Sequence, residues 1–144
     1  MPRGPRSHLA EFGFFHAYAR GVDRMAIARD DADRNAWVAL LGRTVERFDL
    51  IFHAYCLMPN HFHLVVACDL GDLSGGMHHL NGTYAQRFNR RHDRTGHLFE
   101  GRFALRAIDD EAYLHDVCAY VLANPVRAGL CKLVDDWPWS AQAS

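Results

Sequence analysis

Met58-Pro59-Asn60-His61-Phe62-His63-Leu64-Val65-Val66 reads as a turn feeding a short buried strand. Side chains alternate faces along a strand, so Phe62, Leu64 and Val66 form an apolar side that packs on a core. His61, His63 and Val65 point the other way. Two imidazoles two residues apart can both reach one metal ion. A second stretch, Tyr120-Val121-Leu122-Ala123-Asn124-Pro125, reads as the partner. On a helix, Tyr120 and Asn124 stand at i and i+4 and share a face. Two His, one carboxamide and one Tyr form a candidate phosphoryl-transfer site.

Working outward, Leu50 to Leu57 reads as the strand before the turn, so Leu50–Cys68 is a hairpin. Phe14 to Arg20 is aromatic-rich and reads as the first strand, after an irregular arm over Met1 to Gly13 with two Gly and two Pro. Between them, Trp37, Leu40, Leu41, Thr44, Val45 and Phe48 recur at three and four residues, the period of an amphipathic helix ending near Arg47. The acidic cluster Asp30 to Asp33 suits its N-terminus. Beyond the hairpin, Asp69 to Gly76 reads as a Gly-rich loop, Met77 to Arg91 as a second helix and Arg102 to Ile108 as a fourth strand. Asp109-Asp110-Glu111 opens a third helix, which Pro125 stops or bends near Asn124. Val126 to Leu130 reads as a further short turn or helix, and Trp137-Pro138-Trp139 as a terminal aromatic clip. The order β-α-β-β-α-β plus a helix predicts an α+β, ferredoxin-like antiparallel sheet with two helices on one face. The added C-terminal helix would dock on the histidine side and bring Tyr120 to the metal.

Composition narrows the class. A chain of 144 residues with 49% hydrophobic and 23% charged residues suits a single domain, taken as residues 1–144. No apolar run is long enough to span a bilayer, and the first residues lack a secretory apolar core, so the expected location is cytoplasmic, with no membrane partner. Cys56, Cys68, Cys118 and Cys131 form no Cys-x-x-Cys pair and read as reduced thiols rather than a zinc site. A net charge of −1 gives nucleic-acid binding no general support. Of 16 basic residues, however, only Lys132 is Lys, and Arg suits bidentate phosphate contacts. Arg87, Arg90, Arg91, Arg94, Arg102 and Arg106, interleaved with Phe88, Phe99 and Phe103, fit a single-strand or hairpin backbone binder. They fit a solvated charged surface too. On the third helix, Tyr113 stands seven residues before Tyr120 on the same face and is its rival. The large-barrel hydrolases that carry His-x-His are excluded by length.

Taken as an ordered set, these motifs resemble the single-tyrosine HUH transposases, named for a His-hydrophobic-His motif. The branch they resemble is the REP-associated tyrosine transposases. The resemblance is carried by Tyr18-Ala19-Arg20-Gly21, the Met58–Leu64 stretch, Phe88-Asn89-Arg90-Arg91-His92, Gly96-His97-Leu98-Phe99-Glu100-Gly101-Arg102-Phe103, Tyr120 through Gly129, and Trp139-Ser140. It implies a ferredoxin-like core, a metal held by His61 and His63, and Tyr120 as nucleophile. Asn124 would complete the metal site from the same helix, and Arg20 falls among the expected DNA contacts. It also implies cleavage and rejoining of single-stranded DNA beside short hairpins through a 5′-phosphotyrosine, with Mg²⁺ or Mn²⁺ as cofactor. Val22, Glu100 and Ala141 depart from the family pattern, where Asn, Gln and Ser are common. None of the three is a predicted catalytic group. A domesticated, non-catalytic hairpin binder and a metal-binding module without nucleic acid are the competing readings. Neither monomer nor homodimer is specified.

Overall fold

A computed structural model of the chain describes residues 12–144. Strand β1 (Phe12–Arg20) is followed by helix α1 (Asp31–Arg47), the hairpin β2 (Ile51–Leu57) and β3 (His61–Asp69), helix α2 (Leu70–Arg91), strand β4 (Ala104–Ile108) and helix α3 (Glu111–Leu122). A short helix α4 (Asn124–Arg127) and a last strand β5 (Ser140–Gln142) complete the fold. The sheet is antiparallel in the order β4-β1-β3-β2-β5. Its first four strands have the expected ferredoxin-like arrangement, and β5 extends it at the β2 edge. The predicted arm over Met1 to Gly13 falls largely outside the described residues. Its last two residues belong to β1, because the ladder runs unbroken from Arg20↔His61 to Phe12↔Asp69.

Central β3 is covered on both faces, and its alternation sorts the core in two. Phe62, Leu64 and Val66 meet Trp37 of α1 and Leu80, Tyr84 and Phe88 of α2. Trp37 is fully buried and its ring lies 4.9 Å from that of Phe62. On the opposite face, Val65 packs with Ala54 and Cys56 of β2 under Val117, Cys118 and Val121 of α3. The helix starts follow local chemistry. Asp30 and Asp110, in extended conformation, accept from the backbone N–H of Asp33 and Tyr113, which satisfies first-turn donors that lack an intrahelical partner. Cys56, Cys68 and Cys118 are buried, and no disulfide forms among the described residues.

Three sequence expectations are corrected. The segment Asp69 to Gly76 is not a loop: α2 begins at Leu70. Its glycines mark close packing instead. A Cβ on Gly75 would stand 3.1 Å from Phe48 Cε1, and one on Gly76 would stand 3.3 Å from Leu50 Cδ1, so the bare positions let the helix lie against the α1–β2 connection without displacing those side chains. The fifth strand was not expected. The aromatic clip delivers it: Trp137 Nε1 donates to Leu57 O at 3.0 Å, Leu57 N donates to Trp139 O at 2.8 Å, and the chain then pairs with β2 from Cys56↔Ser140 to Ala54↔Gln142. The fourth strand starts at Ala104 rather than Arg102.

A charged cluster ties the end of α2 to the start of α1. Asp33 is 3% exposed and accepts from Arg29 N, from Arg91 Nη1 at 2.8 Å and from His92 Nε2 at 2.8 Å. Arg91 also forks onto both carboxylate oxygens of Asp30 at 2.7 Å. Burial works to raise the Asp33 carboxyl, but the hydrogen bonds from Arg29 N–H, His92 and Arg91 outweigh it and hold the group below its ordinary range. Asp33→Ala leaves these donors without their buried acceptor and is expected to cost about 2–3 kcal/mol, measured by urea denaturation. Because the folded carboxyl is depressed, its contribution is full above roughly pH 4 and is lost as pH falls below that. The difference between wild type and Asp33→Ala should therefore shrink on acidification.

Candidate active site

A cleft of about 620 Å³ opens between the histidine face of the sheet and α3. Its floor is built by alternation. His16 and Tyr18 on β1 and His61 and His63 on β3 project to the same side, and Arg106 of β4 enters beside His16, its register partner. Arg20 stands at one end of the floor, opposite His61. The other wall is α3 and α4, which contribute Tyr113, Asp116, Tyr120 and Asn124.

The two predicted ligands are close and differently held. The rings of His61 and His63 are 5.0 Å apart and nearly perpendicular. His61 Nδ1 meets Asn60 Oδ1 at 2.8 Å, and an amide oxygen only accepts, so this nitrogen carries the proton and Nε2 keeps its lone pair. His63 is 7% exposed, and its Nδ1 lies 2.9 Å from Nε2 of the equally buried His16. Burial lowers all three imidazoles. His63 falls to about 3, helped by His16, His61, Arg127 and Arg20. His16 falls to about 4, helped by Arg106, and His61 is lowered by burial and Arg20. Near neutral pH all three are therefore uncharged, the state in which imidazole ligates metal.

Tyr120 is 54% exposed on the last turns of α3, and its ring meets His63 edge-on at 6.4 Å. α3 ends at Leu122, near Pro125, and α4 follows after Ala123, which keeps a right-handed helical conformation and accepts from Arg127 N. Tyr120 and Asn124 consequently keep the shared face read from their spacing. Tyr113 also lines the cleft, on the same helix as Tyr120, and remains its rival.

An ion fits the donor types present: two neutral imidazoles, the Asn124 carboxamide and oxygens of a bound phosphate. Among the described residues no group of three or more His, Cys, Asp or Glu forms a site, so such an ion would depend on the amide and on substrate oxygens.

The predicted arginines divide. Arg20 and Arg106 line the cleft. Arg87, Arg90 and Arg102 are exposed, with Arg102 beside a smaller groove between α2 and Gly101-Arg102-Phe103. Arg91 is engaged by Asp30 and Asp33, and Arg94 ties its own loop through Asn89 Oδ1, Gly96 O and His97 O. Sequence reasoning missed two residues. His16 carries no motif signal, because its partner lies 47 residues away. Arg127 sits in the Asn124-Pro125-Val126-Arg127 run. Its guanidinium lies 4.0 Å above the Tyr120 ring centroid and donates to Tyr120 O at 3.0 Å.

Comparison with known proteins shows the family and the fold that carry this cleft. The family model described as "Transposase IS200 like" matches residues 15–124, which include every cleft residue named above. A Haemophilus influenzae protein, provisionally named a REP-associated tyrosine transposase, is 26% identical over 69% of this chain, and the match spans 62% of that relative's length. Among solved structures, a REP-associated tyrosine transposase bound to a REP hairpin superposes with a TM-score of 0.73 at 19% identity, covering 90% of this chain and 76% of that one. A provisionally assigned transposase of Deinococcus radiodurans superposes at 0.54 and 16% identity, covering 84% and 95%. These two likenesses bear out the fold. The match over residues 15–124 bears out the family resemblance carried by the motifs: the chain belongs to the IS200-like transposase family.

Proposed function

We propose that this chain cleaves and rejoins single-stranded DNA beside hairpins, with Tyr120 as nucleophile and a divalent ion, Mg²⁺ or Mn²⁺, held by His61, His63 and Asn124. The observation that carries this reading is the facing of Tyr120 and His63 across one cleft of a single chain, at ring-contact distance. The solved relative bound to a REP hairpin supports the substrate class. When bound, the ion supplies positive charge to the scissile phosphate and to the departing oxygen.

The chain's own groups account for the remaining chemistry. The Tyr120 phenol oxygen attacks phosphorus and gives up its proton. A new O–P bond forms, the bond to the 3′ oxygen breaks, and that oxygen leaves as a 3′-hydroxyl once protonated. The 5′-phosphotyrosine retains the bond energy, so attack by a 3′-hydroxyl restores the DNA and frees Tyr120 without a nucleotide cofactor. Arg127, stacked on the ring and bonded to its backbone, holds Tyr120 in place as a positioning residue. Arg20 and Arg106 meet the DNA backbone in the cleft, and Arg87, Arg90 and Arg102 meet it outside. Arg91 and Arg94 shape the protein that carries them.

A denaturing gel with hairpin-bearing single strands and Mn²⁺ should show a covalent protein–DNA band that requires metal and disappears in Tyr120→Phe. Persistence of the band in that variant would move the nucleophile to Tyr113. Hairpin binding without any band would favour the non-catalytic binder. Arg127→Ala should slow band formation by about two- to fivefold, the equivalent of losing an exposed cation–π contact of roughly 0.5–1 kcal/mol. Hairpin affinity should fall steeply with salt, as phosphate contacts require, and a flat salt response would sink the DNA reading.

A further inference from the structure

His16 is the buried polar group of the cleft that the chemistry above leaves without a task. It sits mid-strand on β1, between Val65 of β3 and Arg106 of β4, and is 7% exposed. A histidine so buried, on a face otherwise closed by Val65 and Val117, calls for a partner. That partner is His63: Nε2 of one ring stands 2.9 Å from Nδ1 of the other, and the rings are 5.0 Å apart.

The proton inventory of this pair has a sharp consequence. A neutral imidazole has one N–H and one lone pair, so one ring must donate and the other must accept. If His16 donates, His63 Nδ1 holds the lone pair and the proton of His63 lies on Nε2, which then cannot ligate. If His16 accepts, His63 is protonated at Nδ1 and its Nε2 lone pair is free. His61 already has this second arrangement, because its Nδ1 faces the Asn60 oxygen. The orientation of Asn60 is itself supported by Nδ2 donating to Arg24 O.

We propose that His16 is the positioning residue of the metal site: it accepts the His63 Nδ1–H at its own Nε2 and thereby fixes both the ring orientation of His63 and the tautomer that ligates. The inference rests on the metal reading above and names what makes that site competent. Each ligand then has its own support, with β1 holding His63 through His16 and the β2–β3 turn holding His61 through Asn60. The choice of imidazole over carboxylate has a physical sense. A carboxylate behind a ligand imidazole raises its basicity and adds negative charge. A neutral acceptor orients His63 while leaving the cleft, with Arg20, Arg106 and Arg127 around it, attractive to a phosphate.

The test is Mn²⁺ binding by the full chain, followed by the EPR signal of free Mn²⁺, without DNA. His16→Phe keeps an aromatic ring and removes the acceptor. His16→Gln supplies an amide oxygen that can accept from His63. Relative to wild type, His16→Phe should bind Mn²⁺ about 10–100-fold more weakly, the usual effect of removing a group that orients a ligand. His16→Gln should recover most of that loss, and far-UV circular dichroism should report the same fold for all three. Equal affinity of wild type and His16→Phe overturns the proposal, as does a His16→Gln variant as weak as His16→Phe. Wild-type protein that binds no Mn²⁺ removes the metal reading and this proposal together. Should His16→Phe fail to fold, ¹⁵N NMR of wild-type imidazoles with Mg²⁺ at a saturating level decides. A protonated His63 Nδ1 with an unprotonated His16 Nε2 is expected, and a protonated His16 Nε2 refutes it.

Discussion

The structure depends on the two-sided burial of β3. A strand covered on both faces ordinarily runs continuously apolar, because each face must exclude water. Here one face does so, with Phe62, Leu64 and Val66 locked against α1 and α2. The other is apolar only at Val65 and beyond. Toward the turn it carries His61 and His63, which α3 overhangs and leaves open to a cleft. The apolar face fixes the register of β3 against β1, since a one-residue slip would drive the histidines into the main core. The core that stabilises the domain thus also sets the direction of the site.

Around that strand, each half of the site is rigid for a separate reason. The floor is rigid because its side chains stand on neighbouring hydrogen-bonded strands, and because the Nδ1 atoms of both histidines are engaged. The wall is rigid through Val117, Cys118 and Val121, which seat α3 on the sheet. Tyr120 faces the cleft toward His63, half in solvent, with Arg127 over its ring. On the proposed reading this exposure has a use, because a nucleophile for a large, flexible polymer has to be open before the polymer arrives. The Arg127 guanidinium lies over the ring of a residue that is still 54% exposed.

Much of this was legible from the residues. The faces of β3 follow from a period of two, the start of α1 from Asp30 as an N-terminal cap, and the shared face of Tyr120 and Asn124 from their four-residue spacing. Each signal is local, covering ten residues or fewer. The errors arose where a local signal was overruled at a distance. Gly75 and Gly76 look like loop residues until Phe48 and Leu50 are seen against them. Ser140-Ala141-Gln142 has no strand character of its own and becomes one by pairing with β2. Arg91 belongs to a basic run in sequence, whereas in space it belongs to Asp30 and Asp33.

What the sequence by itself determined was therefore the order and faces of the main elements, and the family to which its motifs belong. The periodicity of hydrophobic burial and the chemistry of helix ends act between near neighbours. Tertiary structure alone decided which groups support the predicted site. The pairing of His16 with His63 joins positions 47 residues apart through the β1–β3 register, and no spacing rule connects them. A strand pairing brings distant residues to hydrogen-bond distance only once the whole sheet has formed, so a contact of that kind is written in the fold and not in any one stretch of the chain.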